Sequence, residues 1–218
     1  RGVLPSFEHE KALGIIGKQE SLIDCGCNKG QFAILAHKLN KFSEYVAFDP
    51  ICYPGLVIDH LKKNDIKTFY KNVALSNAEG LKDFFITGRN DSSSLKKPKE
   101  LASKYFPKVY LKKQIKVQVL QLKYFKEVII KTPQPRFLKI DVQGNELELL
   151  EGGIEILNLF QFIVIECTHF KLYKDIKYNI YDLHSFLSRN KFKLIKEYNN
   201  VISNGELISS DRLYEFIK

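Results

Sequence analysis

The sequence predicts an α/β fold: a doubly wound, mostly parallel sheet of about seven strands with an antiparallel C-terminal strand. Three observations predict it. From residue 21 onward, short apolar runs bounded by turns alternate with helical stretches, the pattern of parallel strands covered on both faces. Two of those runs end in an acid and feed a glycine-bearing turn and a helix: LIDCGCNKGQFA at 22–33 and FLKIDVQGNELELLEGG at 137–153. Near the end, Asn204-Gly205 is a turn signal between two apolar runs, which makes them an antiparallel pair.

Taken in order, residues 21–24 form a short apolar strand, followed by a glycine loop and a helix through about residue 40. YVAFD at 45–49 is a second strand. A Pro-Gly break follows, then a helix through about residue 63. Residues 68–75 read as a third strand. The middle differs: 81–87 and 114–120 alternate like exposed strands, and the polar GRNDSSSLKKPKE at 88–100 between them reads as a mobile loop. Residues 80–120 are therefore expected as a β/loop insertion or lid, not a second domain. The alternation then resumes with strand 137–141, helix 145–157, strand 162–166, helix 181–189 and strands 192–198 and 212–217. Residues 1–20 are set apart as an N-terminal extension that packs as a helix on the sheet, and 21–218 as one domain. A chain of 218 residues at 44% hydrophobic content suits one substantial core.

No apolar run is long enough to span a bilayer and no signal-peptide pattern appears, so a cytoplasmic location is expected. The chain begins Arg1-Gly2 and contains no Met, which leaves a trimmed targeting segment open. Lys and Arg number 34 against 25 Asp and Glu, a net charge of +9. The lysines are spread, not blocked, and read as a solvated surface with no strong nucleic-acid signal. The densest basic stretch, 96–113, also holds Tyr105, Phe106 and Tyr110 and is the candidate partner surface. Cys25, Cys27, Cys52 and Cys167 make no disulfide framework for a chain this long. The spacing of Cys25 and Cys27 suits zinc poorly, so reduced thiols and no metal site are expected.

The chemistry gathers at strand ends. In DCGCNKG at 24–30, Gly26 lets the backbone approach a ligand and Gly30 lets helix and strand pack. The spacing lacks the G-x-G-x-x-G of dinucleotide sites and the G-x4-G-K-[ST] of phosphate loops. It suits a cofactor without a pyrophosphate. Asp49, some twenty residues on, stands where a carboxylate holds a ribose diol. Asp141 ends the strand beside the switch point, where ligands of open α/β sheets sit. Glu166 and His169 follow the next strand toward the same edge, and His169 can act as a base near neutral pH. Lys139, inside an apolar strand, needs a partner; Glu166 on the neighbouring strand is the expected one. His9, His37, His60 and His184 are assigned no role.

Together, Asp24, Gly26, Gly30 and Asp49 resemble the cofactor site of the Rossmann-like class I methyltransferases. KIDVQGNELELLEGG at 139–153 closely resembles the KID-x-[EQ]-G-x-E signature of the FkbM-type methyltransferases. IDCGCNKGQF at 23–32, VAFDP at 46–50, NVALSNAEG at 72–80, SSSL at 92–95, IVIE at 163–166 and SSDRLYEF at 209–216 fit that family in the same order. Two departures stand out: Asp49 where the family usually has Glu, and Leu122-Lys123 where it tends to show Leu-Asp.

The resemblance implies S-adenosyl-L-methionine as cofactor and an O-methyl transfer to a hydroxyl of a glycan or small natural product. It implies that Asp24 with Gly26, Asn28 and Gly30 holds the methionine part, and that Asp49 holds the ribose. Asn72 or Ala74 would lie near the adenine. Asp141 would orient the methionine amino group or take the acceptor proton, with Glu166 and His169 as further catalytic candidates. Alternatives are a nucleic-acid methyltransferase, suggested by the charge but lacking the N-P-P-[YF] motif of amino-methylating enzymes, a non-catalytic binding module that keeps the fold, and a metal-dependent variant using Asp141 and Glu166.

Overall fold

The computed structural model describes residues 3–39, 42–51 and 54–217. A seven-stranded sheet is ordered β3-β2-β1-β7-β8-β10-β9. Its strands are β1 (Ser21–Cys25), β2 (Glu44–Phe48), β3 (Lys67–Lys71), β7 (Arg136–Ile140), β8 (Phe162–Thr168), β9 (Phe192–Ser203) and β10 (Glu206–Phe216). β3, β2, β1, β7 and β8 run parallel, and β10 is antiparallel to both of its neighbours. This is the predicted doubly wound sheet with an antiparallel end.

Successive strand residues point to opposite faces, and the core divides accordingly. Ile23, Val46, Leu138, Ile140 and Ile163 pack on one face with α6 (Glu146–Gly152) and α7 (Ile180–Arg189). Leu22, Tyr45, Phe137 and Val164 pack on the other with α1 (Glu10–Ile16), α2 (Gln31–Lys38) and α3 (Gly55–Lys63). From α1 come Ala12, Leu13 and Ile16, all buried in that second layer. Residues 10–16 are therefore bound to the sheet.

The run 68–75 is not one strand. The chain leaves the large sheet after Lys71 and forms β4 (Ala74–Leu75) in a second, three-stranded sheet ordered β4-β6-β5. The break falls at Asn72, whose amide donates to the Asp49 carbonyl at 3.0 Å. β5 (Gly80–Thr87) and β6 (Leu111–Leu120) pair antiparallel in this sheet.

The polar segment 88–100 is fastened, contrary to the mobile loop expected. Ser92, Ser93 and Ser94 are buried, and Ser94 Oγ donates to the Gln143 carbonyl at 2.6 Å. The helix α4 (Glu100–Tyr105) follows. Its Ala102 packs with Leu172, Tyr173 and Ile208.

The predicted helix 145–157 stops at Gly152 and continues as a 3-10 helix, Ile154–Leu159. Gly152 is pressed against the second sheet, where a Cβ would meet the Ser76 carbonyl at 2.2 Å. At the C-terminal end, Asn204 (φ 51°) and Gly205 (φ 79°) make the primed type of turn that matches strand twist. β9 and β10 reach further toward that turn than expected, which carries Asp211 to the position opposite Glu166 on β8.

Candidate active site

The site forms where the turns after β1 and β7 meet, at the carboxyl ends of two adjacent parallel strands. They meet backbone to backbone. Gly26 has φ 78°, and a Cβ there would lie 1.9 Å from the Asp141 carbonyl oxygen. Asp141 N–H donates to the Cys25 carbonyl at 3.0 Å, and Gly26 N–H to the Phe48 carbonyl at 2.9 Å. Only glycine meets both conditions, a left-handed φ and no side chain.

Asp49 is 7% exposed. Its Oδ2 accepts from Asn28 N–H and its Oδ1 from Ile51 N–H, each at 2.9 Å. The second acid is thereby fixed at the mouth of the first glycine turn. Beside it opens a small cavity of about 60 Å³. Gly26, Asn28 and Asp49 form its polar end, and Phe48, Val73, Ala74, Leu75 and Phe84 its apolar walls. A larger cavity, about 230 Å³, lies on the far side of the turns. Gly26, Asn28, Asp91, Asp141 and Gln143 line both.

Lys139 anchors the shared wall. Its Nζ donates to the Gly26 carbonyl at 2.8 Å and stands 3.4 Å from both Asp24 Oδ1 and Asp141 Oδ2. The expected pairing with Glu166 is replaced by these two acids, because alternate strand residues share a face and Lys139 shares its face with Asp141. Burial alone would lower the Lys139 pKa, but Asp141 and Asp24 outweigh it and raise it. Burial pushes Asp24 up in spite of the cation, so Asp141 supplies most of the countercharge. Burial would raise Asp141 too, yet Lys139 and hydrogen bonds from Glu166 and Gln143 hold it below the usual carboxylate range.

Gln143, in the left-handed region at φ 58°, bridges the acids. Its Nε2 donates to Asp141 Oδ1 at 2.8 Å and to Glu166 Oε2. The Tyr173 hydroxyl holds the other end, 2.8 Å from Gln143 Oε1. Burial first, and then the charge of Asp141, drive the Glu166 pKa well up. Glu166 therefore keeps the proton and Asp141 the charge. Glu146 braces the turn from behind: Gly144 N–H donates to both its oxygens at 2.9 and 3.1 Å, and the Tyr178 hydroxyl donates to Oε2 at 2.7 Å.

The structure brings Gly26, Asn28, Asp49, Ala74, Asp141 and Glu166 to the two cavities. Gly30 stands behind them, its φ of 81° and tight contact with Val57 setting α2 against α3. Three predicted residues are placed elsewhere. Asp24 is fully buried beneath Lys139, with Tyr45 donating to Oδ2 at 3.0 Å. Asn72 is spent on the Asp49 carbonyl and lines neither cavity. His169 is turned to Ser210 Oγ at 3.0 Å, and Thr168 takes the cavity wall instead.

His9, assigned no role from sequence, lines the larger cavity together with Asp211. No local pattern marks His9. Asp211 lies in the segment SSDRLYEF, and its register opposite Glu166 is what brings it to the site. Cys25 and Cys27 pack into opposite core layers, and burial raises both thiols. Cys52 lies outside the described residues.

A family model described as the Methyltransferase FkbM domain matches residues 24–194. The chain belongs to the FkbM methyltransferase family. No curated protein matches it. Solved structures share the fold at low identity. Streptococcus pneumoniae Sp1610, in complex with S-adenosyl-L-methionine, is 11% identical over 99% of this chain and 75% of that one, with a TM-score of 0.54. M. capricolum TrmK, in complex with S-adenosyl-homocysteine, is 10% identical over 99% and 70%, with a TM-score of 0.55. The B. subtilis M1A22 tRNA methyltransferase TrmK is 9% identical over 100% and 68%, with a TM-score of 0.50. This FkbM methyltransferase is S-adenosylmethionine-dependent and Rossmann-like in fold. No described helix is long and apolar enough to cross a membrane.

Proposed function

We propose that this FkbM methyltransferase transfers the methyl group to a hydroxyl oxygen of a glycan or small natural product. One observation carries the reading: an ionised carboxylate, Asp141, stands in the wall shared by an amphipathic cavity and a polar one. The residues of the smaller cavity fit the cofactor. Asn28 Oδ1 is buried and has no hydrogen-bond partner; it and the turn backbone from Gly26 to Gly30 suit the methionine amino acid. Asp49 suits the ribose diol, and Ala74, between Val73 and Leu75, suits the adenine. Asp24 would act indirectly, through Lys139.

The cofactor supplies an electrophilic methyl group. Transfer then depends mainly on positioning and on removing one proton from the acceptor. Asp141 is charged, held at both oxygens and open to the acceptor side, so it takes that proton. Glu166, already protonated, serves as a hydrogen-bond partner and not as a base. A cytoplasmic setting belongs to the same reading, with Cys25, Cys27 and Cys167 as buried thiols.

The net charge of +9 favours a second reading, a nucleic-acid acceptor. Among the acids lining the larger cavity, Glu8, Asp91 and Asp141 work against a phosphate at the reacting end. Calorimetry with S-adenosylmethionine decides first. Absence of binding, or binding untouched by Asp49→Ala, sinks the catalytic reading. A steeply salt-dependent RNA affinity with methyl incorporation into RNA would move the acceptor to the second reading.

A further inference from the structure

We propose that Asp211 and His9, on the wall of the larger cavity away from the cofactor side, select the acceptor as a neutral polyhydroxylated ring, gripping its adjacent hydroxyls and rejecting an anionic group. The inference rests on the O-methyl reading and adds the residues and charge rule of acceptor choice.

Both residues are built in. Asp211 is 4% exposed, and Asn199 Nδ2 donates to its Oδ2 at 2.7 Å. His9 Nδ1 stands 3.1 Å from the Tyr198 hydroxyl and 3.8 Å from that same Asp211 oxygen. Both contacts engage Oδ2; among the described residues Oδ1 takes no hydrogen bond. The His9 ring sits edge-on to Phe32, with centroids 4.9 Å apart, which fixes its plane. A carboxyl group beside an imidazole and an amide can exchange hydrogen bonds with two neighbouring hydroxyls.

The charge around them excludes anions. The nearby cations are already committed, Arg89 to Asp91 by two bonds at 3.0 Å and Lys139 to Asp24 and Asp141. Burial lowers the His9 pKa to about 4, so it brings no positive charge at neutral pH. Burial raises Asp211 to about 7, so it is a mixed donor and acceptor there. An entering phosphate or carboxylate would meet Asp141, Asp91 and the part-ionised Asp211, with no uncommitted cation among these residues to offset them.

The placement fits a selecting role. Positions 9 and 211 fall outside the matched span 24–194, while Asp49, Asp141 and Glu166 fall inside it. The transfer side of the site is built by the turns after β1 and β7, and the opposing wall by the 3-10 turn Phe7–His9 and by β10.

The test uses the full chain loaded with S-adenosylhomocysteine. Methyl α-D-mannopyranoside and methyl α-L-rhamnopyranoside are the neutral probes, mannose 6-phosphate is the anionic one, and saturation-transfer NMR reads binding. The neutral glycosides should bind at least tenfold tighter than the phosphate. Asp211→Ala should weaken them at least tenfold, with S-adenosylhomocysteine affinity within twofold of wild type. Asp211→Asn should recover part of that loss and relax the discrimination against mannose 6-phosphate. Thermal melts confirm that each variant is folded. Equal binding of the phosphate, no binding of either neutral glycoside, or glycoside binding unchanged by Asp211→Ala would overturn the inference. Failure of the wild type to bind S-adenosylhomocysteine would instead overturn the methyl-transfer reading beneath it.

Discussion

Lys139 and Asp141 sit on the same face of one strand end, with Nζ 3.4 Å from Oδ2, so the cation that closes the floor of the site also sets the charge of the proposed base. Removing that cation should raise the Asp141 pKa, because its lowering depends on Lys139. In Lys139→Met the acid limb of the kcat/KM profile should therefore move to higher pH, and activity at pH 6 should fall more than at pH 8. Breaking a buried pair on one side costs about 3–5 kcal/mol, so the variant should also melt early. Adding Asp24→Asn removes one stranded acid and should recover part of the melting temperature without restoring the pH profile. An unmoved acid limb would show that Lys139 is structural only.

Much of this site was legible because it depends on local spacing. An acid at a strand end and a glycine two or three residues later are written in sequence order, and parallel neighbours bring such ends together. The partners of Lys139 were misread because the sequence does not state strand register at the needed resolution; the i, i+2 rule alone favoured Asp141. His169 is turned away from the cavities for a different reason. It lies one residue beyond Thr168, and a single step along the chain points a side chain to the other face. Asp211 and His9 could not be paired from sequence, since one sits in a short N-terminal turn and the other on the last strand. The split of 68–75 into two sheets follows from hydrogen bonds at Asn72 that no hydropathy pattern encodes.

Asp49 carries two separable loads. It binds the backbone of Asn28 and Ile51, and in the proposed reading it accepts two ribose hydroxyls. Charge-assisted bonds contribute about 1.5–3 kcal/mol each, so Asp49→Ala should weaken S-adenosylhomocysteine by roughly a hundredfold. Asp49→Glu, the residue more usual in the resembling family, should stay within about tenfold. Calorimetry on both variants checks this; equal losses for Ala and Glu would mean that the turn, and not the ribose contact, is what Asp49 supports.

Gly26 and Gly80 separate two costs of glycine replacement. Both have positive φ, but a Cβ on Gly80 meets nothing within 4 Å, whereas one on Gly26 meets the Asp141 backbone. Gly80→Ala should cost about 1–3 kcal/mol, the penalty of strained backbone alone. Gly26→Ala must also push two βα turns apart, and should lose clearly more stability along with S-adenosylhomocysteine binding. Urea midpoints of the two variants give the comparison, and similar values would contradict the close approach.

Glu146 makes stability depend on pH. Burial raises its pKa from 4.5 to about 7, opposed by hydrogen bonds from Tyr178 and Gly144. The folded state thus holds a proton that the unfolded chain releases near pH 4.5. Where the unfolded state binds fewer protons, stability falls as pH rises. The contribution should be complete below about pH 4.5, decline between there and pH 7, and be gone above. At about 1.4 kcal/mol per unit, the change is roughly 3 kcal/mol at most. Asp211 acts in the same direction, while Asp141, with its lowered pKa, opposes it toward acid. The difference between wild type and Glu146→Gln isolates the Glu146 share. Urea midpoints at pH 5, 6, 7 and 8 should fall less steeply in the variant, because the amide does not titrate. Parallel slopes would place Glu146 among ordinary carboxylates, ionised in both states across this range.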